Sequence, residues 1–307
     1  MRHFNIHPVF LLLLLFSVAT YAQEKPEEKT EKQLEGEQSE STPEEKTEKT
    51  EKSEHEMTRW QMLKYDGVSA FGGVKNAYTQ PFRWKSKDWA TLGGIVAGTA
   101  LIYLIDEPAS DFFTDQEDDI PSFIKETGFR FGKPLINYGL TTGVYAFGLI
   151  TKNEKVRKTG VLLIASATAG GIIQTISKTL AGRARPYTGK GKDSFKFYAS
   201  EADYHSFPSG HAILSFTTAY AISKQFNNPY VKGGIYALGL VSPISRLWSG
   251  AHWLTDVTLG IVLSVVIVDG IDNYLNKKER YVYDSKKFKI KWDLKLGAGQ
   301  LGVVGRF

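Results

Sequence analysis

Two histidines, one carboxylate and three cations placed to hold a phosphoryl dianion fall in three short blocks of this 307-residue chain. The first block is Lys178-Thr179-Leu180-Ala181-Gly182-Arg183-Ala184-Arg185-Pro186. The second is Pro208-Ser209-Gly210-His211, and the third runs from Ser245-Arg246 through His252 to Asp256. Lys178, Arg185 and Arg246 can neutralise a phosphoryl dianion, one histidine can attack phosphorus, and the other can hand a proton to the departing oxygen. His252 and Asp256 are four residues apart, so a helix puts them on one face within hydrogen-bonding reach. A carboxylate that accepts the proton of one imidazole nitrogen fixes the tautomer and leaves the other nitrogen free to attack. Arg246, upstream, can grip two oxygens in a fork.

The first two blocks add local geometry. Lys178 and Arg185 are about two helical turns apart, which on a continuing helix projects both cations from one face. Pro186 disfavours helix at Arg185 and places that cation where helix gives way to loop. Ser209 is a good N-cap for the apolar run 212–222, so Gly210 and His211 occupy a first turn whose free amides and dipole favour an anion. The chain has no cysteine, and no third histidine or carboxylate lies at ligand spacing in these blocks. They therefore predict neither a metal site nor a cofactor.

In order and spacing the blocks resemble the three-part signature of the type 2 phosphatidic acid phosphatase and vanadium haloperoxidase superfamily. That signature is Lys, six residues, Arg-Pro; then Pro-Ser-Gly-His; then Ser-Arg, five residues, His, three residues, Asp. Every position is filled, and the resemblance covers roughly residues 89–275. It implies that His252 is the nucleophile that becomes phosphohistidine and that Asp256 orients it. His211 would protonate the leaving alkoxide and then activate water. Lys178, Arg185 and Arg246, with the amide of Gly210 and the hydroxyl of Ser209, would hold the equatorial oxygens without magnesium. The implied activity is removal of a terminal phosphate from a membrane lipid: phosphatidate, phosphatidylglycerol phosphate, undecaprenyl diphosphate or a lipid A phosphate. The same pocket could serve a vanadium-dependent haloperoxidase, or a non-specific acid phosphatase acting on soluble esters. A silent lipid-binding protein would have little reason to keep the whole signature.

The elements that must position these residues are apolar. Segments 90–105, 135–150, 159–176, 211–222, 231–244 and 257–271 predict an all-α, membrane-embedded bundle of about six helices, rich in the small residues that allow close packing. Ahead of it, Arg2, the apolar run 9–18 and Thr20-Tyr21-Ala22 read as a signal peptide, residues 1–22. Residues 23–56 read as a disordered Glu/Lys-rich linker, with Pro-Glu-Glu-Lys-Thr-Glu-Lys occurring at Pro26 and again at Pro43. Residues 57–88 form an amphipathic, interfacial stretch, and 89–275 the catalytic domain. In the basic tail 276–307, the alternation around Trp292, Leu294 and Leu296 predicts a β-hairpin turning at Gly297-Ala298-Gly299. The net charge of +5 is accounted for by membrane-flanking lysines, with no nucleic-acid partner required.

If the segments span, all three blocks fall on one membrane face. An acidic loop holding Asp106, Asp111, Asp115 and Glu117 lies on that face, while Lys152, Lys155, Arg157, Lys158, Lys224 and Lys232 lie opposite. The positive-inside rule then points the blocks to the periplasm or exterior of a bacterial cell membrane. A cleaved signal followed by six full spans points the other way, so sequence alone gives no parity. The loop 187–207 interleaves Lys190, Lys192 and Lys196 with aromatics and reads as a lid at headgroup level. Nothing in the sequence sets the oligomeric state.

Overall fold

The computed structural model describes residues 57–276, Tyr281, 291–297 and 300–306. The expected signal peptide, the Glu/Lys-rich linker and the hairpin tip at Ala298-Gly299 lie outside the described residues.

The helices in chain order are α1 (Arg59–Thr79), α2 (Ser86–Leu104), α3 (Asp106–Thr114), α4 (Ser122–Phe131), α5 (Pro134–Ile150), α6 (Glu154–Ala181), α7 (Gly210–Ser223), α8 (Pro229–Trp248) and α9 (Leu254–Asn276). Each of the six apolar segments is helical, as α2 and α5 to α9. Helix α1 falls in the stretch 57–88 read as amphipathic, and α3 and α4 come from mixed sequence that the apolar pattern does not single out. Local chemistry sets several ends. Asn153 caps α6 by accepting from the amide of Val156, Asn228 caps α8 by accepting from Tyr230 and Val231, and Pro229 opens α8 where its missing N–H is harmless. Gly182 stops α6 in the left-handed conformation, with its amide bonded back to the Lys178 carbonyl.

Helix α7 is the centre of the bundle, packed by α6, α8 and α9. Ala212, Ile213 and Ala221 are fully buried. Small residues on its neighbours permit the approach: a Cβ at Gly170 of α6 would stand 2.5 Å from the Ile213 side chain, and one at Gly239 of α8 2.4 Å from Ala219. At 14 residues, α7 is about 21 Å long, short of the ~30 Å hydrocarbon core. Among the described residues, α6 and α9 are long and apolar enough to cross a membrane. The pair α2 and α3, bent by 60° at its break, would make a third if it counts as one span. Large apolar side chains remain outside: Leu101 on α2, Leu135 and Phe147 on α5, and Leu238 on α8 are 60–84% exposed.

The end of the bundle away from the three blocks is held by buried charge. Arg157 on α6 meets Asp66 on α1 at 2.7 Å, and the hydroxyls of Tyr145 and Tyr281 donate to the same carboxylate at 3.0 and 2.7 Å. Lys158 donates to Asn276 of α9. Arg157, Lys158 and Lys224, read from sequence as basic residues of the opposite face, are engaged with acidic or amide partners. At the C-terminus, β1 (Lys291–Gly297) and β2 (Gln300–Arg306) pair antiparallel, with Lys291 opposite Arg306 and Gly297 opposite Gln300.

Candidate active site

Alternating helix direction delivers the three blocks to one end of the bundle. Lys178 sits in the last turn of α6, His211 in the first turn of α7, Arg246 in the last turn of α8, and Asp256 in the first turn of α9. Lys178 and Arg185 do not share a helix face as expected. Gly182 ends α6 (φ +56°) where a Cβ would stand 1.7 Å from the Lys196 carbonyl, so Arg185 arrives on extended chain (φ −81°, ψ 150°). Arg185 is held by the carbonyls of Ala202 (2.9 Å) and Ala251 (3.0 Å). The amide of Tyr187 donates to Gly250 and the indole of Trp253 to the Ala184 carbonyl. The segment after α6 is thus stitched to the turn that carries His252.

Ser209 is fully buried. Its hydroxyl accepts from the amide of Ala212, and its own amide donates to the Asp256 carbonyl. Gly210 has no room for a side chain, since a Cβ would lie 2.5 Å from Gln174 of α6. His211 stacks on Phe129 of α4 at 5.5 Å and 9°. Its Nε2 is buried and has no hydrogen-bond partner among the described residues. The guanidinium of Arg246 and the ammonium of Lys133 both lie over the Phe129 ring, at 4.5 and 4.1 Å. Burial, and then the charges of Arg246, His252 and Lys178, push His211 down to about 3, so the imidazole is neutral near pH 7.

His252 is 3% exposed, and its tautomer is legible. Nδ1 lies 2.6 Å from the main-chain carbonyl of Ser206. A carbonyl only accepts, so Nδ1 carries the proton and Nε2 keeps a lone pair. Burial pushes this imidazole down to about 4, with Arg185 and Lys178 pulling the same way and Asp256 opposing them.

Asp256 departs from the expectation in one respect. It stands 3.9 Å from Nδ1 of His252, beyond hydrogen-bond length. The fully buried carboxylate instead accepts from Arg183 (2.7 Å), the Ser206 hydroxyl (2.5 Å) and the Trp253 amide (2.9 Å). His252 lies in the turn before α9 and not on the helix with Asp256 as expected, and the carbonyl of Ser206 takes the imidazole proton. Arg183 and its second partner, Asp106, were not identified from sequence. Arg183 lies inside the first block but outside its pattern, and Asp106 reads as one acid of a solvated loop. The bend between α2 and α3 instead buries Asp106 completely, 2.7 Å from Arg183.

The loop 187–207 is anchored at both ends of its basic stretch. Lys192 donates to the carbonyls of Tyr103 and Leu104, Tyr103 donates to Asp193, and Lys196 pairs with Glu201. Phe197 and Tyr198 stay 71% and 74% exposed.

Comparison with known proteins gives three likenesses. Residues 159–279 match the model of the PAP2 superfamily. Over 106 residues the chain is 29% identical to a lipid A 1-phosphatase of Rhizobium etli, covering 33% of this chain and 44% of the relative, so it spans less than half of that protein's length. The crystal structure of Aquifex aeolicus LpxE aligns at 19% identity and a TM-score of 0.41, over 53% of this chain and 94% of that one. All eleven signature positions lie within residues 159–279, and this segment is a PAP2 superfamily domain, of the type 2 phosphatidic acid phosphatases.

Proposed function

We propose that the protein is a membrane lipid phosphatase working through a phosphohistidine on His252. The observation that carries this reading is the Nδ1 contact of His252 to the Ser206 carbonyl, which leaves the Nε2 lone pair for attack within reach of the fields of Lys178 and Arg185. Nε2 attacks phosphorus as the ester P–O bond breaks, and charge on the equatorial oxygens is met by Lys178, Arg185, Arg246 and the α7 N-terminus. Burial depresses His211 most and the charges of Arg246 and Lys178 add to it; a bound phosphate dianion offsets those charges, so this imidazole takes a proton in the complex and passes it to the leaving alkoxide. Neutral again, His211 removes a proton from water as it attacks the phosphohistidine, releasing phosphate.

The apolar helices α6 and α9 and the exposed apolar faces of α2, α5 and α8 support a substrate met in the membrane. Among candidate lipids a lipid A phosphate comes first, on the strength of the Rhizobium etli relative. Phosphate release from a panel of lipid A 1-phosphate, phosphatidate, phosphatidylglycerol phosphate and undecaprenyl diphosphate tests this with purified protein. We expect turnover that survives chelators and is inhibited competitively by vanadate, a mimic of the pentacoordinate state. Activity lost to a chelator and restored by magnesium overturns the mechanism. Bromide oxidation with added vanadate, and no phosphate release, selects the haloperoxidase reading.

The site is proposed to face the periplasm or exterior. Asp111, Asp115 and Glu117 lie at the catalytic end, and Lys152 and Lys155 at the other. Asp106 drops out of this count because it is buried against Arg183. The chain has no cysteine, so Ser194→Cys and Asn153→Cys report separately. In intact cells an impermeant thiol reagent should label Ser194→Cys and leave Asn153→Cys untouched until lysis. The reverse pattern puts the site in the cytoplasm.

A further inference from the structure

Among the described residues, the ionisable groups against the Asp256 carboxylate are Arg183 at 2.7 Å and the His252 ring at 3.9 Å. Arg183 is 1% exposed, and its guanidinium is used on every edge. One nitrogen meets Asp256, a second meets Asp106 at 2.7 Å, and Nε donates to the Lys192 carbonyl at 3.2 Å. Its faces are covered by Tyr103 at 4.8 Å and Trp253 at 5.3 Å. Asp106 is fixed in turn by the Thr255 amide (2.9 Å) and hydroxyl (2.6 Å). The Arg183 main chain closes the loop, because its carbonyl accepts from the amide of Ser206, whose hydroxyl binds Asp256 and whose own carbonyl holds His252.

Three buried charges in a row are costly to desolvate, and a well-packed apolar set of the same volume is often as stable. Stability alone is therefore a weak reason for this arrangement. Accepting the phosphohistidine reading above, we propose that Arg183 and Asp106 are positioning residues for the nucleophile. The guanidinium, shared between two carboxylates, fixes both the place of Ser206 and the fraction of negative charge that Asp256 presents to His252. Neither residue touches the reacting phosphate; they act through Ser206 and Asp256.

The charged and titratable groups around His252 are Lys178 of α6, Arg183 and Arg185 of the following loop, His211 of α7 and Asp256 of α9, with Arg246 of α8 beside His211. Within that set the two proposed residues act in opposite directions. In Arg183→Leu, Asp256 loses its neutralising partner, so the His252 proton is held more tightly. In Asp106→Asn, Arg183 serves Asp256 alone, so that proton is held less tightly.

The test combines ring titration of His252 by NMR, which needs no turnover, with kcat, KM and their pH profiles for phosphate release. Arg183→Leu should raise the His252 midpoint by about one pH unit and lower kcat roughly 100-fold, with KM little changed. Asp106→Asn should lower the midpoint, and Arg183→Lys, which returns the charge without the fork, should restore the midpoint but only part of kcat. Should Arg183→Leu not fold, Asp106→Asn still carries its downward shift, and Thr255→Val, which strips the hydroxyl donor from Asp106 and leaves that carboxylate to draw more on Arg183, should move the midpoint up. Unmoved midpoints, or shifts of one sign in both variants, overturn the proposal. A wild type that hydrolyses no phosphate ester would overturn the phosphatase reading while the titration still judged the positioning.

Discussion

Substituting His252 by Ala is expected to lower phosphate release by roughly 10⁵-fold, the scale seen when a covalent nucleophile is removed from a preorganised site. No neighbour can replace it. His211 is held against Phe129 in the first turn of α7, and the carboxylate of Asp256 is occupied by Arg183, Ser206 and Trp253. The protein should still fold, because the lost hydrogen bond to Ser206 contributes about 1 kcal/mol and the ring belongs to a turn rather than to the packed faces of α7. His252→Gln, which retains most of the volume, should be equally inactive. Wild type quenched in base during turnover should carry phosphate on histidine, and the His252 variants should carry none. A folded His252→Ala protein that retains near-native turnover would remove His252 from the mechanism.

The second large effect depends on the leaving group. His211 is placed to give up a proton: its Nε2 has no hydrogen-bond partner among the described residues, and its ring is clamped between Phe129 and the backbone at Gly132, where a Cβ would stand 2.3 Å away. Its substitution by Ala should cost an alkyl phosphate about 10³-fold in kcat, within the usual range for general acid catalysis. An aryl phosphate, whose phenolate leaves without help, should lose about 10-fold. Equal losses for both would mean that His211 does not act mainly as the acid. Vanadate should still bind His211→Ala, since Lys178, Arg185 and Arg246 remain.

Spacing in the chain was enough for what local rules control. Ser209 caps α7 because a hydroxyl before an apolar run satisfies the first free amides, and His211 follows in that first turn. The apolar period placed helices at all six segments, and the period of two around Trp292 placed β1. The four-residue spacing kept Asp256 near His252, although His252 lies in the turn ahead of α9. Each of these depends on residues within about one turn of each other, or on a repeat that states its own geometry.

Tertiary structure decided the partners. The sequence places Asp256 four residues from His252, but not the loop residue Ser206, 46 positions away from His252, whose carbonyl takes the imidazole proton. It gives Lys178 and Arg185 two helical turns apart, whereas a left-handed Gly182 breaks the helix between them because the Lys196 carbonyl occupies the space of a side chain. Asp106 and Arg183 are 77 positions apart and meet only because the chain bends by 60° between α2 and α3. As letters, Asp106 is one of several acids and Arg183 one of several bases. Burial singles them out, because a charge removed from water must find its opposite, and which one it finds depends on the packing of distant helices.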